Sequence, residues 1–462
     1  MARIILGTLA EGFPLFPGHL ALSGKEADTH MHCLGVAGTG KSKILESIAL
    51  QRIRQGQAIS ILDPHSDLVN ATLANLMSMN FFKQKDAFKK LLFVEFHDGD
   101  SYLPFNFLKQ PHSTEDTIAD DTLEAFHRAW PELTYGAAQF DTMVINGVRV
   151  LLANDLPLPA LYPLILDKEY RHKLLQKVDN YGVKAYFENF ERLRSSEQAD
   201  QSASTIRRIN LLTSSPAIEY ALGQADCVLP VRQLMDEGVS VLYDLGKIRN
   251  TQARRLMGAL LMVMYERAAL SRLGTNSARM VHHLIVDEFS QFSAQSSHSL
   301  AVMLSETRKA NLFACLAHQT WGQLENRMHG ALQNVGVKIC LRIGRQDAEV
   351  MAKWMGQTDP MRVKFEPLRD TQFPQTFGLG EQWEAWINSL VQLPDRQALV
   401  KVFDKASVEI RTTTVPDPNV TPQDIEQIKA VYRKMLRHKS TIKLPYELPA
   451  EEEFLFSTKP RS

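Results

Sequence analysis

Short runs rich in apolar residues recur along the chain and alternate with stretches of helical spacing. The runs are Met31–Leu34, Gln57–Asp63, Lys90–Phe96, Val239–Asp244, Leu284–Val286, Leu312–His318 and Val337–Arg342. They are predominantly apolar, and the unbroken Leu284–Val286 predicts a strand buried on both faces of a parallel sheet. Strands interleaved with helices predict an α/β, doubly wound fold. Residues 1–30 hold two short strand-like pieces, around Gly12-Phe13-Pro14 and Gly18-His19, read as an N-terminal β element. From 110 to 225 the pattern turns helical and strand-poor, with helices expected at Asp120–Trp130, Phe140–Leu152 and Val183–Arg194. This predicts an all-α insertion between a first α/β part at 31–109 and a second at 226–400. Residues 401–462 are read as a linker (Thr412 to Pro418), a charged helix (Pro422 to Arg437) and a loose tail from Leu448.

The first buried run leads into Gly35-Val36-Ala37-Gly38-Thr39-Gly40-Lys41-Ser42, which fits the phosphate-loop pattern G-x-x-x-x-G-K-[ST] at every fixed position. The glycines let the backbone curl so that its N–H groups face phosphates. Lys41 reaches the β- and γ-phosphates, and the Ser42 hydroxyl ligates Mg²⁺. Ser42 to Leu50 has helical spacing, so the loop, with Lys43 beside it, opens a helix whose positive end faces the anion.

A partner lies at Leu284-Ile285-Val286-Asp287-Glu288. Its two carboxylates emerge at the C-terminal end of a buried strand, where open α/β sheets place ligands. Beside a phosphate loop, Asp287 holds the Mg²⁺ shell while Glu288 orients and deprotonates the attacking water. Either motif alone has a bland reading, a glycine turn or a strand ending in solvated acids. Together they predict an ATPase.

Composition adds little to this and removes some alternatives. The 462 residues suffice for two or three domains, and 52 basic side chains balance 52 acidic ones, so net charge points to no particular partner. Four cysteines (Cys33, Cys227, Cys315, Cys340) are scattered with no C-x-x-C pair, and three lie in apolar runs. They read as buried thiols of a reducing compartment. The longest apolar stretch, Leu256 to Tyr265, has ten residues, too few to cross a bilayer, and no secretory signal is visible; the expectation is a cytoplasmic protein.

Asp63-Pro64-His65-Ser66-Asp67-Leu68 resembles the Asp-Pro-His-Gly-Asp-Leu signature of the HerA/FtsK superfamily of DNA-pumping ATPases. More narrowly, the chain is similar to the soluble motor of conjugative type IV secretion coupling proteins. Pro104-Phe105-Asn106-Phe107-Leu108 resembles that family's Asn-Pro-Leu turn. Leu304-Ser305-Glu306-Thr307-Arg308-Lys309 resembles its Ser-Glu-x-Arg-Lys helix, and Ala317-His318-Gln319 its sensor strand end. Asn334-Val335-Gly336, Leu341-Arg342-Ile343-Gly344 and Asp347-Ala348 resemble its last motor strand. Ser66 and Phe107 depart from the pattern, and the anchoring membrane helices are not seen.

The resemblance implies a RecA-like P-loop NTPase with an inserted all-α domain, bound ATP and Mg²⁺, and a homo-hexameric ring that translocates DNA. Gln319 would sense the γ-phosphate. Arg308, or alternatively Arg342, would act as an arginine finger in the next subunit's site. His65 reads as a structural histidine near the site rather than a base. His282-His283 is not a metal pair, because successive strand residues face opposite sides. Arg207-Arg208 and Lys247-Ile248-Arg249 are candidate DNA contacts. A relaxase, secretion-channel or nuclease partner is expected, with membrane association through a partner. Two rivals stand beside the DNA pump: a HerA-like helicase working with a separate nuclease, and an ATP-switched adaptor that recruits protein cargo.

Overall fold

The computed structural model describes residues 3–10, 18–96, 101–134, 137–213, 216–274, 279–292, 297–324, 326–361, 378–436 and 438–439. The strand-like piece expected around Gly12-Phe13-Pro14 and the tail from Leu448 fall outside them.

Thirteen strands are present among the described residues. They are β1 (Arg3–Leu9), β2 (His19–Ser23), β3 (Met31–Leu34), β4 (Ala58–Asp63), β5 (Leu91–Glu95), β6 (Ser101–Tyr102), β7 (Ser240–Asp244), β8 (His282–Val286), β9 (Leu312–His318), β10 (Val337–Cys340), β11 (Gln397–Val402), β12 (Val408–Thr412) and β13 (His438–Lys439). Eleven form one sheet in the order β2-β1-β12-β11-β10-β3-β9-β8-β4-β7-β5, and β6 pairs with β13. From β10 to β5 all neighbours run parallel. Every residue of β3, β4, β5, β7, β8, β9 and β10 is buried, as predominantly apolar runs require when helices cover both faces.

The strands at the other edge are antiparallel and only partly buried. This edge corrects the reading of the two ends of the chain. The N-terminal strands are hydrogen-bonded into the motor sheet rather than leading up to it, with Gly7 opposite Thr412. The sheet also continues past residue 400, since β11 and β12 form a hairpin on β10 and Thr412 is the last residue of β12, not the start of a linker. Gly7 is needed at this join, because a Cβ there would lie 2.2 Å from the Arg411 carbonyl oxygen.

Between β6 and β7 the chain forms the inserted all-α domain, whose seven α-helices among the described residues run from Glu115–Ala129 to Pro216–Leu222. Three of its helices begin where the sequence supplies an N-cap: Thr114, Asp167 and Asn180 each accept a backbone N–H of the first turn. Its core gathers Phe126, Phe140, Phe187 and Phe190. The entry and exit strands of the insertion are bonded to each other, with Val228 N–H donating to the Pro104 carbonyl at 3.1 Å. The helix Thr251–Leu270 packs against Glu115–Ala129, and Arg128 donates to Glu266 at 2.7 Å across a buried contact. The ten-residue apolar stretch from Leu256 is thus core. No single helix among the described residues is long and apolar enough to cross a membrane.

Candidate functional site

β3 and β4 are consecutive in the chain but separated in the sheet by β9 and β8, so a crevice opens above their C-terminal ends. Into it β3 delivers the phosphate loop, β4 Asp63, β8 Asp287-Glu288 and β9 Gln319. A cavity of about 360 Å³ lies there, lined by the loop from Val36 to Lys43 together with Asp63, Asp287, Glu288 and Gln319.

Gly38 (φ 82°) and Gly40 (φ 105°) hold left-handed conformations that side chains rarely adopt, which is what the curled loop demands. Around them, Gly35 N–H donates to the His318 carbonyl at 3.3 Å, Val36 N–H to the Arg342 carbonyl at 3.0 Å, and Thr39 Oγ1 to the Val36 carbonyl at 2.8 Å. The helix Lys41–Arg54 then starts with the loop lysine as its first residue.

Two of the sequence-selected side chains converge on one oxygen of a third. Glu288 Oε1 accepts from Lys41 Nζ at 2.5 Å and from Gln319 Nε2 at 2.9 Å. Glu288 itself sits in the left-handed region (φ 47°), a strained turn that carries its carboxylate over the loop. Asp287 is 5 % exposed, and Ser42 is half-buried at the cavity wall. Burial raises the Asp287 carboxyl to about 6; Lys41 opposes the shift, and the Glu288 and Asp63 charges add to it. A desolvated, charge-crowded carboxylate next to a loop hydroxyl is a donor set suited to Mg²⁺, which takes one or two protein oxygens beside phosphate.

Arg308 and Arg342 are not brought to the cavity. Arg308 is exposed and precedes β9, at the opposite edge of the sheet from Gln319, a strand length of about 20 Å at the usual rise per residue. Arg342 leaves β10 at the correct edge, but its guanidinium pairs with Asp395 at 2.7 Å. His65 is exposed beside the cavity, where its Nε2 lies 3.4 Å from Gln291 Nε2. His282 and His283 face opposite sides of β8, the first meeting Ser60 at 2.9 Å and the second Arg52 at 2.7 Å. Arg208 is buried over the Trp130 and Phe140 rings and pairs with Glu132, so its guanidinium is already engaged within the insertion. Arg207, Lys247 and Arg249 are exposed.

Two residues went unselected. Asp63 is fully buried and accepts the His65 and Val69 N–H groups at 2.8 and 3.0 Å, which ties the loop after β4 in place. Its signal was present, since it opens the Asp-Pro-His stretch. Arg396 (φ 64°) donates its backbone N–H to the Thr39 carbonyl at 3.0 Å and lies against Gly40. No sequence signal linked it to the loop.

Comparison with solved structures decides the architecture. The plasmid coupling protein TrwB, in complex with ADP and Mg²⁺, aligns with TM-score 0.55 at 16% identity over 86% of this chain and 88% of that one. The chain has the fold of a conjugative coupling ATPase. TrwB with the non-hydrolysable ATP analogue ADPNP aligns with TM-score 0.56 at 15% identity, covering 85% and 87%. VirB4 of Thermoanaerobacter pseudethanolicus aligns with TM-score 0.55 at 14% identity, covering 89% and 97%. A sequence-family profile described as the TraM recognition site of TraD and TraG matches residues 282–376. The match thus begins at β8 and takes in β9 and β10, the first two of which deliver Glu288 and Gln319. No curated protein matches the sequence.

Proposed function

We propose that this chain is an ATPase whose hydrolysis drives DNA translocation, as the motor of a conjugative or related DNA-transfer system. The observation that carries the reading is the convergence of Lys41 and Gln319 on one oxygen of Glu288 beside Asp287, at the switch point of the sheet. In this reading the loop N–H groups and Lys41 take the nucleotide phosphates. Ser42 and Asp287 hold Mg²⁺, which neutralises phosphate charge when bound. Glu288, released from Lys41 by the incoming phosphates, positions and deprotonates the attacking water. Gln319, sharing the same oxygen, reports whether a γ-phosphate is present.

Placement of Arg308 away from its own cavity agrees with a role in trans, as the finger of a neighbour in a homo-hexameric ring; the ion pair of Arg342 with Asp395 disfavours the second candidate. Arg207, Lys247 and Arg249 are the exposed cations left to track DNA phosphates. The motor is divided by the insertion at 110–225, and its sheet takes in β1 and β2 before residue 31 and β12 after residue 400. Likeness over residues 282–376 to a TraM recognition site supports a protein partner of the DNA-processing complex. A cytoplasmic location, with membrane contact through a partner, follows from this role.

Steady-state hydrolysis without DNA and with single- or double-stranded DNA tests the reading, with Lys41→Ala and Glu288→Gln as controls. Hydrolysis that rises with DNA and is lost in both variants supports the motor. Hydrolysis indifferent to DNA but raised by a protein partner supports the adaptor instead.

A further inference from the structure

Beneath the cavity lies a pair of buried histidines that the mechanism above does not use. His32 on β3 and His318 at the end of β9 are both 0 % exposed, and their Nε2 atoms are 2.8 Å apart. The surroundings fix which nitrogen carries each proton. His318 Nδ1 lies 3.0 Å from the Thr320 carbonyl oxygen, which only accepts, so Nδ1 must carry its hydrogen. Burial holds His318 down at about 3 and keeps it neutral. Its Nε2 is then a bare acceptor, and His32 must donate to it through Nε2–H. His32 Nδ1 is left as an unprotonated lone pair with no partner among the described residues. A missing donor at that atom costs less than a buried N–H with nothing to bond would.

His318 therefore touches the loops that follow β3, β8 and β9. Its carbonyl accepts Gly35 N–H at the root of the phosphate loop. Its ring meets Phe289, the residue after Glu288, edge to face with centroids 5.2 Å apart. Its Nδ1–H holds the Thr320 turn that directly follows Gln319, and Trp321 closes on the ring from another side at 5.2 Å.

We propose that His318, held in one tautomer by His32, is a positioning residue that sets Gln319 and Glu288 relative to the phosphate loop. It touches neither nucleotide nor water; it fixes the distance between the group that senses the γ-phosphate and the group that activates water. A small misplacement of such groups costs far more in turnover than in binding. The inference rests on the reading of Gln319 and Glu288 given above.

The test is a double-mutant cycle on kcat, with ADP affinity measured alongside, using wild type, His318→Leu, Gln319→Ala and the double variant. His318→Leu is expected to lower kcat about 10- to 100-fold while ADP affinity stays within about 2-fold, because ADP lacks the group Gln319 senses. In the Gln319→Ala background the same change is expected to cost under about 3-fold. His318→Asn, whose amide can still donate to the Thr320 carbonyl, is expected to recover most of kcat. Equal losses in both backgrounds, or ADP affinity falling together with kcat, would overturn the proposal. Where His318→Leu does not fold, His32→Met, which leaves His318 Nε2 without a donor, is read in the same cycle. Wild-type protein that does not hydrolyse ATP sinks the ATPase reading itself; hydrolysis abolished by Lys41→Ala with an additive cycle sinks only the positioning role.

Discussion

Lys41 and Glu288 form a buried ion pair, Nζ to Oε1 at 2.5 Å, with their side chains 7% and 5% exposed. In the proposed mechanism the lysine that would grip phosphate thus holds the carboxylate that would activate water, so that each masks the other and nucleotide would compete with Glu288 for the same ammonium group.

That competition has a thermodynamic signature. Lys41→Ala leaves Glu288 buried without its cation and is expected to lower stability by on the order of 2 kcal/mol. Adding Glu288→Gln removes the stranded charge, so the double variant should melt above Lys41→Ala. Glu288→Gln alone should bind ADP more tightly than wild type, by about 3- to 10-fold, since Lys41 is no longer claimed by a full charge. Calorimetric melting and ADP titration of the three variants check this. A double variant melting below Lys41→Ala would show that the pair is not the resting contact.

Acid should lower the stability of this protein already above the pH at which ordinary exposed carboxylates protonate. Burial lowers His30 to about 4, and His282, His283 and His318 to about 3, with His32 also depressed. The neutral native rings refuse protons that the unfolded chain accepts from its ordinary value near 6.5. Their contribution to stability is complete above that value and is lost as pH falls toward the folded values. Each ring adds a slope approaching about 1.4 kcal/mol per pH unit in that window. Denaturant unfolding at about pH 7.5, 6.5 and 5.5 should therefore show stability dropping ever more steeply. A flat profile over that range would mean that the rings are hydrated or charged in the native state.

The loop after β4 carries a matched pair of residues. Ser66 stands at φ 72° and donates to Asp244 at 2.6 Å, which stabilises a conformation that the absent glycine would adopt freely. Gly246 faces it so closely that a Cβ would lie 2.2 Å from Ser66 Oγ and 2.8 Å from the His65 backbone. Gly246→Ala is expected to cost about 1–3 kcal/mol and weaken nucleotide binding by displacing the loop. Ser66→Gly in that background should restore only part of the loss, because the backbone contact remains. Full restoration would place the clash in the side chain alone.

How much of this was legible in the sequence follows from what each feature depends on. The phosphate loop, the Asp-Glu strand and the Asp-Pro-His stretch are contiguous, and their backbone demands appear as glycines and acids at fixed spacing. The parallel strands were legible because burial on both faces writes predominantly apolar runs. The β11–β12 hairpin was missed because its strands are only partly buried and so write no continuous apolar run. Its Val400, Val402, Val408 and Ile410 show a period of two, but the nearby threonines and prolines read as a linker. Arg396 against Gly40, and the His32–His318 contact, arise from strands far apart in sequence that only the sheet order brings together. Arg208 looked like a DNA contact because a charge pair carries no mark of burial; two aromatic rings and Glu132 engage its guanidinium within the insertion.

The helix Pro422–Leu436 closes the open edge of the sheet at β5, and its removal should expose an aggregation surface. Tyr432 is 1% exposed and donates to the Leu91 carbonyl at 2.5 Å, and Arg433 donates to Glu95 at 2.6 Å. Lys429 lies 4.7 Å from the Phe93 ring centre. An unpaired strand edge is a template for further pairing, and this helix covers it. Tyr432→Phe loses one hydrogen bond to a buried carbonyl and is expected to cost about 1 kcal/mol. Tyr432→Ala also empties a packed site among Phe82 and Phe88 and should cost about 3–5 kcal/mol. Both variants should keep ADP affinity, because the helix lies at the far side of β7 from the phosphate loop. Light scattering on heating should begin earlier in the order wild type, Tyr432→Phe, Tyr432→Ala. A Tyr432→Ala protein as stable and as soluble as wild type would show that the helix rests on the edge without holding it closed.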